Sequence, residues 1–293
     1  MRSFLKRIQS DLIDARWNIG FAEVDNDLNL RDIRYLKHNF RFTESWFADP
    51  FVIEETDSEY IVLAEEMQVN KKGRIVRLIV RKSDFLLLDC QVLLDLDTHL
   101  SFPNFIKTQD GIFLYPENGA SGQLTFYKYG ETLEKVSQLQ NTEVYDSTIF
   151  FLDGFYWLLC TQEPNPNGNI LSVFSSKEPI SGYQKIQEIE FPDNIARRAG
   201  NVFCWKENLI SPAQVCNKYY GEGISLQQIT VEGNKLSLKE IKRIYPKGRM
   251  LSPGFHTWNY LPKTKNTVVI DGYRFGWKFF HDLFFKAKGL KEM

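Results

Sequence analysis

An aromatic pair, an aspartate and an apolar, β-branched run follow one another in the stretch Ser45-Trp46-Phe47-Ala48-Asp49-Pro50-Phe51-Val52-Ile53. A polar run and a second apolar run, Tyr60 to Ala64, come next, which predicts a hairpin of two strands. Pro50 has no N–H to donate to a neighbouring strand, so it fits only at the start or the edge of a strand. The stretch therefore predicts a strand with Asp49 at its inner end.

The same pattern of short apolar runs continues along the chain. Such runs lie at 75–80, 85–88, 112–115, 124–127, 148–151, 155–160 and 170–174. Turn signals separate them, including Asp110-Gly111, Asp153-Gly154, Asn167-Gly168 and Asp271-Gly272. Aspartate or asparagine before glycine favours tight hairpins. The pattern predicts an all-β protein built from consecutive hairpins.

Polar residues recur at a nearly constant interval, each at or just before a predicted strand. They are Asp49, His99, Asp146, Arg198 and His256, separated by 50, 47, 52 and 58 residues. About fifty residues suffice for a four-stranded sheet, and radial packing of such sheets gives a β-propeller. The sequence therefore predicts a five-bladed β-propeller whose five leading residues converge on one axial pocket. The alternative is an irregular β-sandwich in which the spacing is a coincidence.

The propeller is predicted over residues 44–275, with short helical extensions at both ends. Residues 1–43 would form an N-terminal helix and lead-in, because Phe4, Leu5, Ile8 and Leu12 recur at helical spacing. Residues 276–293 form an aromatic and basic tail, which predicts an amphipathic helix. This helix would either cap the propeller or lie in a membrane interface.

Composition limits the classes of function. The formal net charge of -1 argues against a nucleic-acid partner, since such proteins usually carry a strongly basic face. The four cysteines lie far apart, without metal-ligand spacing, so we expect buried thiols, no metal site and no cofactor. The N-terminus lacks the apolar core of a signal peptide, and no run of eighteen apolar residues occurs. We therefore expect a cytoplasmic protein, or one held peripherally at the inner membrane.

Several motifs together resemble a known group of proteins. They are Ala48-Asp49-Pro50-Phe51, His99-Leu100-Ser101-Phe102-Pro103, Tyr115-Pro116-Glu117, Asp146-Ser147-Thr148, Arg198-Ala199-Gly200-Asn201, Pro212-Ala213-Gln214, Tyr220-Gly221 and His256-Thr257-Trp258-Asn259. From about residue 44 to 275 they are similar to the N-terminal domain of the plant glucosamine inositolphosphorylceramide transferases, whose bacterial relatives occur in surface-polysaccharide gene contexts. More distantly, the chain resembles glycoside hydrolase families 43, 32 and 130, which are five-bladed propellers.

The resemblance implies carbohydrate chemistry in the axial pocket. Asp49 is similar in position to the base of the family 43 and 32 enzymes, and Asp146 to their third acid, which orients the sugar. The proton donor of family 43 has no counterpart in Ile195 to Gly200, which contains no acid. Glu117 is the substitute candidate. Inverting hydrolysis needs a carboxylate and a carboxylic acid about 6.5 to 9.5 Å apart.

A second reaction stays open, in which the donor has a phosphate leaving group that needs cations rather than an acid. The candidate cations are Arg197, Arg198, His99 and His256, with Asp49 as base for the acceptor hydroxyl. Trp46, Gln214 and Trp258 complete the predicted substrate-binding set, and the expected partner is a carbohydrate or sugar phosphate.

The same residues also have purely structural interpretations. Asp49 could bind backbone N–H groups between blades. Arg198 could be a structural cation for Asp146 or Asp49, because buried carboxylates are usually paired. His99 and His256, taken singly, fit ordinary core or rim histidines. The whole chain could be a non-catalytic glycan-binding module or a scaffold for a membrane-associated biosynthetic complex.

Overall fold

The computed structural model of the protein describes residues 13–38, 45–68, 71–139, 143–233, 235–246, 254–261, 263–264 and 266–277. These residues form five four-stranded antiparallel sheets, the five blades of a β-propeller. The predicted fold class is thereby confirmed.

Four blades are continuous in sequence, and each consists of consecutive hairpins. Blade 1 contains β3 (Ser45–Glu55), β4 (Glu59–Gln68), β5 (Arg74–Arg81) and β6 (Leu87–Leu94). Blade 2 contains β7 (Phe105–Thr108), β8 (Gly111–Leu114), β9 (Leu124–Lys128) and β10 (Glu134–Leu139). Blade 3 contains β11 (Tyr145–Leu152), β12 (Phe155–Thr161), β13 (Ile170–Ser176) and β14 (Gln184–Glu190). Blade 4 contains β15 (Phe203–Trp205), β16 (Asn208–Val215), β17 (Gly223–Glu232) and β18 (Lys235–Ile244).

Blade 5 is assembled from both ends of the described chain. Its strand order is β19 (Trp258–Leu261), β20 (Thr267–Trp277), β1 (Ile13–Val24) and β2 (Leu30–Tyr35). The pairing of β1 with β20 runs without a register shift from Ile13 opposite Trp277 to Glu23 opposite Thr267. Residues 13–35 thus belong to the propeller and not to a separate lead-in before residue 44.

The helical extensions differ from the prediction where the structure describes them. Residues 13–14, the end of the predicted N-terminal helix, are part of β1, and residues 276–277, the start of the predicted tail helix, are part of β20. Residues 4–12 and 278–293 lie outside the described residues. Within the described ranges the one helical element is a short 3-10 turn at Gly119–Ser121, and no helix there could span a membrane.

The hydrophobic core is divided among the five junctions between blades. Each of the five clusters of buried apolar residues combines side chains of two neighbouring blades. Phe21 of blade 5, for example, stacks on Tyr60 of blade 1 with ring centroids 5.0 Å apart. Because burial of apolar surface is the main stabilising contribution to folding, each blade depends on both of its neighbours.

The four cysteines are free thiols. Cys160 is buried, and Cys90 and Cys216 are partly buried, as expected, whereas Cys204 in the short strand β15 is exposed.

Candidate active site

A closed ring of hydrogen bonds joins the blades around the axis. Each bond links the first strand of a blade, or the residues just before it, to the next blade. The donors and acceptors, in order from blade 1, are Phe102 N–H to Asp49 Oδ2 (3.0 Å), Asn104 Nδ2 to Ser147 O (3.1 Å), Thr148 Oγ1 to Gly200 O (2.9 Å), Asn201 N–H to Asn259 Oδ1 (2.8 Å) and Asn259 Nδ2 to Pro50 O (2.8 Å). The ring brings the beginnings of all five first strands together.

Asp49 and Asp146 lie on this ring in an unusual backbone conformation. Their φ angles are 50° and 44°, and Phe102, the residue at the same place in blade 2, has a φ of 43°. At both aspartates the pairing of the first strand with the second shifts register. Both carboxylates are buried. A non-glycine residue with positive φ costs about 1 to 3 kcal/mol and persists only where the surroundings hold it.

The first cluster of the site is a histidine between two aspartates. His256 Nε2 lies 3.0 Å from Asp49 Oδ1, and His256 Nδ1 lies 2.9 Å from Asp271 Oδ2. Each ring nitrogen of His256 is thus paired with a carboxylate oxygen. Although burial disfavours the charged imidazole, Asp271 and Asp49 raise the pKa of His256 well above its usual value.

Asp271 also holds the backbone on both sides of this cluster. Its Oδ1 accepts the N–H groups of His256 (2.8 Å) and Thr257 (3.0 Å), and its Oδ2 accepts the N–H of Asp49 (3.3 Å). Burial favours the neutral carboxyl, but the neighbouring His256 and these hydrogen bonds lower the pKa of Asp271. Asp271 therefore positions both His256 and Asp49.

The second cluster is an arginine shared by two acids. Arg197 Nε lies 2.5 Å from Asp146 Oδ2, and its Nη2 lies 3.3 Å from Glu117 Oε2. Glu117 Oε2 also accepts the N–H of Asp146 at 2.7 Å, and Gln214 Nε2 donates to Asp146 Oδ2. Burial, followed by the charge of Asp146, raises the pKa of Glu117 well above its usual value despite the opposing effect of Arg197.

Two consecutive residues before β7, Ser101 and Phe102, connect the clusters. The backbone of Ser101 exchanges hydrogen bonds with that of Glu117 (3.2 and 2.9 Å), and the N–H of Phe102 binds Asp49. Glu117 and Asp49 therefore lie on the two sides of one short segment of blade 2, at the same end of the propeller.

A further acid, Glu65, lies beside Asp49. Glu65 is the neighbour of Ala48 across the β3–β4 pair, and its Oε1 lies 3.2 Å from His99 Nε2. Burial, with a contribution from Asp49, raises the pKa of Glu65 to about 7. Because the N–H of Gly73 donates to His99 Nδ1 at 3.0 Å, the ring proton of His99 is on Nε2 and points to Glu65.

Comparisons with known proteins agree with this architecture. A model of the family described as "Glucosamine inositolphosphorylceramide transferase 1, N-terminal" matches residues 35–263. The chain belongs to this family. It is 26% identical over 221 residues to glucosamine inositolphosphorylceramide transferase 1 of Arabidopsis thaliana, and 25% identical over 217 residues to that of Oryza sativa subsp. japonica. These matches cover 70% and 69% of the chain but only 28% of each relative.

Solved structures with the same fold include glycoside hydrolases of family 43. A β-1,3-galactosidase of that family with bound galactodeoxynojirimycin has a TM-score of 0.57 at 8% identity and covers 74% of this chain and 84% of its own. A thermostable family 43 hydrolase has a TM-score of 0.56 at 12% identity, with coverage of 80% and 89%. The distant resemblance to family 43 is thus confirmed as a similarity of fold.

The structure brings together most of the predicted site residues. Asp49 and His256 belong to the first cluster, Glu117, Asp146, Arg197 and Gln214 to the second, and His99 lies half-exposed beside Glu65.

Arg198 and Trp258 are placed elsewhere. The Arg198 guanidinium contacts the carbonyl oxygens of Ala196 and Ile195 and the side chains of Ser211 and Gln227, so it pairs with neither Asp146 nor Asp49. Trp258 is fully buried in the cluster between blades 4 and 5. Trp46 lies in β3 and is partly buried.

Asp271 and Glu65 are acids of the site that are absent from the predicted set of site residues. Asp271-Gly272 predicted a turn, but both residues lie inside β20. A Cβ on Gly272 would lie 2.7 Å from the Tyr35 ring, so this glycine is required by packing against β2 and not by a turn. The missed signal is positional: Glu65, Glu117, Gln214 and Asp271 all lie on or just after the second strand of a blade.

Proposed function

We propose that the protein cleaves or transfers a neutral glycosyl group in the axial pocket, with Asp49 as the base and Glu117 as the proton donor. Glycoside cleavage of this kind uses one ionised carboxylate and one carboxylic acid. The observation that carries the proposal is the position of Glu117, which is paired with Arg197 beside Asp146 and is joined to Asp49 through the Ser101–Phe102 backbone. Burial and the charge of Asp146 raise the pKa of Glu117, as a proton donor requires. Asp49 would activate water or an acceptor hydroxyl, and Glu117 would protonate the leaving oxygen.

The geometry of the second cluster supports the assignment of the proton to Glu117. Asp146 has the shorter contact with Arg197 and also accepts from Gln214, whereas Glu117 has the longer contact. Two neighbouring carboxylates that share one cation do not both ionise readily. Asp146 is the better paired of the two acids, and burial beside it raises the pKa of Glu117, which is therefore the carboxyl that we assign the proton.

The charges of the site favour a neutral substrate over a phosphate leaving group. Arg197 is paired with Asp146 and Glu117, and His256 with Asp49 and Asp271. Arg198 is turned into blade 4, and His99 faces Glu65. Holding a phosphate needs cations that are not already paired, and none of these four candidates offers one.

The names of the similar proteins support carbohydrate chemistry as the class of function. The family is named for a glucosamine inositolphosphorylceramide transferase, and the structures of similar fold include β-1,3-galactosidases. We extend the proposal to polysaccharide or glycolipid assembly at the cytoplasmic face of a membrane, with residues 276–293 as the membrane contact.

One observation favours an alternative, glycan binding without turnover. His256 Nε2 lies 3.0 Å from Asp49 Oδ1, so one oxygen of the proposed base is already engaged by a neighbouring side chain. A binding module would use the same pocket but would not depend on the ionisation of Asp49 or on the proton of Glu117.

Activity assays with matched variants test the proposal. The wild-type protein is screened against aryl and alkyl glycosides of common sugars and, separately, against nucleoside diphosphate sugars. Asp49→Asn is expected to lower kcat/KM for the best glycoside by about 10²- to 10⁴-fold, as for other lost acid or base groups. Asp110→Asn, in an exposed turn, is the control and should retain activity.

The role of Glu117 is tested through the leaving group. Glu117→Gln should lose most activity on alkyl glycosides but keep much of it on dinitrophenyl glycosides, whose leaving groups need no proton. Equal losses on both would contradict a proton donor at Glu117. Turnover of nucleoside diphosphate sugars alone would contradict the neutral substrate, and glycan binding without any turnover would favour the binding module.

A further inference from the structure

Tyr220 joins the two clusters of the site. It lies in the loop between β16 and β17, and its ring centroid is 5.0 Å from that of His256. The same ring lies 5.3 Å from Cζ of Arg197. Tyr220 thus contacts the cation of each cluster and spans the space between them.

The side chain of Tyr220 is open to solvent and yet lies among the acids of the pocket. The residue is 43% exposed. Nevertheless, desolvation of its hydroxyl, followed by the charges of Asp146 and Asp49, raises its pKa well above the usual value, against the effect of Arg197. Within the described residues its hydroxyl makes no hydrogen bond.

The position of Tyr220 is fixed by the chain that follows it. Gly221 has a φ of 72°, and a Cβ there would lie 3.0 Å from the Trp17 ring. Gly254 approaches the carbonyl oxygen of Gly221 so closely that its own Cβ would lie 2.2 Å away. Trp17 in turn packs edge-on against His256, with centroids 4.2 Å apart. The Tyr220 ring is therefore held in place before any ligand binds, which lowers the entropic cost of binding.

We infer that Tyr220 is the stacking platform of a sugar subsite, which takes a neutral pyranose with an apolar C–H face. The ring lies against Arg197 and His256, and its exposed surface is available to a ligand. The flat apolar face of a pyranose suits an aromatic ring, and the free hydroxyl can donate to a sugar oxygen. This inference rests on the proposed function, because it places the sugar between Asp49 and Glu117.

Binding measurements with a matched neighbour test the inference. Tyr219, the preceding residue, is 51% exposed and serves as the control position. Affinities for a panel of neutral methyl disaccharides and β-1,3-galactotriose are measured by calorimetry and saturation-transfer NMR, in an Asp49→Asn background that blocks turnover. For a sugar that binds, Tyr220→Leu should raise Kd about tenfold, and Tyr219→Leu should change it by less than about twofold.

Tyr220→Phe separates stacking from hydrogen bonding. It keeps the ring and should raise Kd only a few-fold, which also shows that the loop is intact. An unchanged Kd in Tyr220→Leu, or failure of every sugar in the panel to bind, overturns the inference. Sugar binding that depends on Tyr220 without turnover by the wild type would leave the subsite in place and refute the proposed reaction. Turnover with a KM that Tyr220→Leu leaves unchanged would support the proposed reaction and refute the subsite.

Discussion

At the scale of single residues, the site is made by acids whose neighbours decide their charge. Asp271 and Asp49 enclose His256, whereas Asp146 and Glu117 compete for Arg197. Such buried pairs are costly to break, because removal of one partner leaves an uncompensated charge. The same contacts that set the chemistry therefore also contribute to the pH dependence of folding.

The ion pairs of His256 should be visible in the stability of the protein above pH 7. The pKa of His256 is raised in the folded state, so its contribution is complete below about pH 6.5 and is lost as the pH rises through the folded-state pKa. Urea unfolding of the wild type between pH 6.5 and 8.5 should lose on the order of 1 to 3 kcal/mol from this group.

His256→Gln is the comparison that isolates this effect. The pKa of Glu65 is raised to about 7, so the pH-dependent change that Glu65 makes in the unfolding free energy is mostly complete by pH 7. The difference in unfolding free energy between wild type and His256→Gln should therefore shrink from pH 7 to 8.5. Parallel curves for the two proteins would show that His256 is uncharged in the folded state.

The repeat in the sequence located the site but did not determine which of two adjacent residues faces it. The repeat spacing placed Asp49, Asp146 and His256 at the axis, where the structure has them. The spacing equally favoured Arg198, yet Arg197 makes the ion pairs. Adjacent residues before a strand point to opposite sides, and a positional period of about fifty residues does not determine which one faces inward.

At the scale of elements, the second strands of several blades supply the side chains that pair with the residues of the site. Glu65 in β4 and Asp271 in β20 reach residues at the start of the next blade, whereas Gln214 in β16 reaches Asp146 of the preceding blade. These partners depend on cross-strand register and on the shifts at Asp49 and Asp146, which no local pattern reveals. That is why the hairpins could be predicted from turns but the pairing of the acids could not.

Gly200 lies on the ring of hydrogen bonds between blades, at a position that cannot accommodate a side chain. Its φ is 154°, and a Cβ would lie 2.2 Å from the carbonyl oxygen of Trp258 in the next blade. Gly200→Ala should therefore destabilise the protein by about 2 to 4 kcal/mol in urea unfolding. Gly130→Ala is the control, because its Cβ would meet nothing closer than 3.6 Å. A loss of less than about 0.5 kcal/mol in Gly200→Ala would show that blades 4 and 5 can separate at this point.

At the scale of the whole molecule, the propeller is closed by the two ends of the described chain. The repeat predicted five blades but missed that β1 and β2 complete the fifth, because strands preceding the first repeat carry no repeat signal. Both strands fell within the predicted lead-in, although in β1 the buried residues include Ile19 and Phe21, which alternate as in a strand.

This closure predicts that β1 is as important for stability as any central strand. Phe21 is buried, with ring centroids 5.0 Å from Tyr60 and 4.9 Å from Phe85, both in or beside blade 1. Phe21→Ala should cost about 3 to 5 kcal/mol of unfolding free energy, the usual loss for a buried phenylalanine. Ile33→Ala, at a 38% exposed position of β2, should cost about 0.5 kcal/mol or less.

The way in which Phe21→Ala unfolds distinguishes a closed ring from an attached strand. In a ring each blade is buried by two neighbours, so circular dichroism and tryptophan fluorescence should report one shared transition at lower urea concentration. If β1 only covered a body that is stable alone, the fluorescence of Trp157 in blade 3 would keep the wild-type midpoint while part of the strand signal is lost early. Coincident shifts would establish that the seam between blades 5 and 1 holds all five blades, and with them the axial acids, in place.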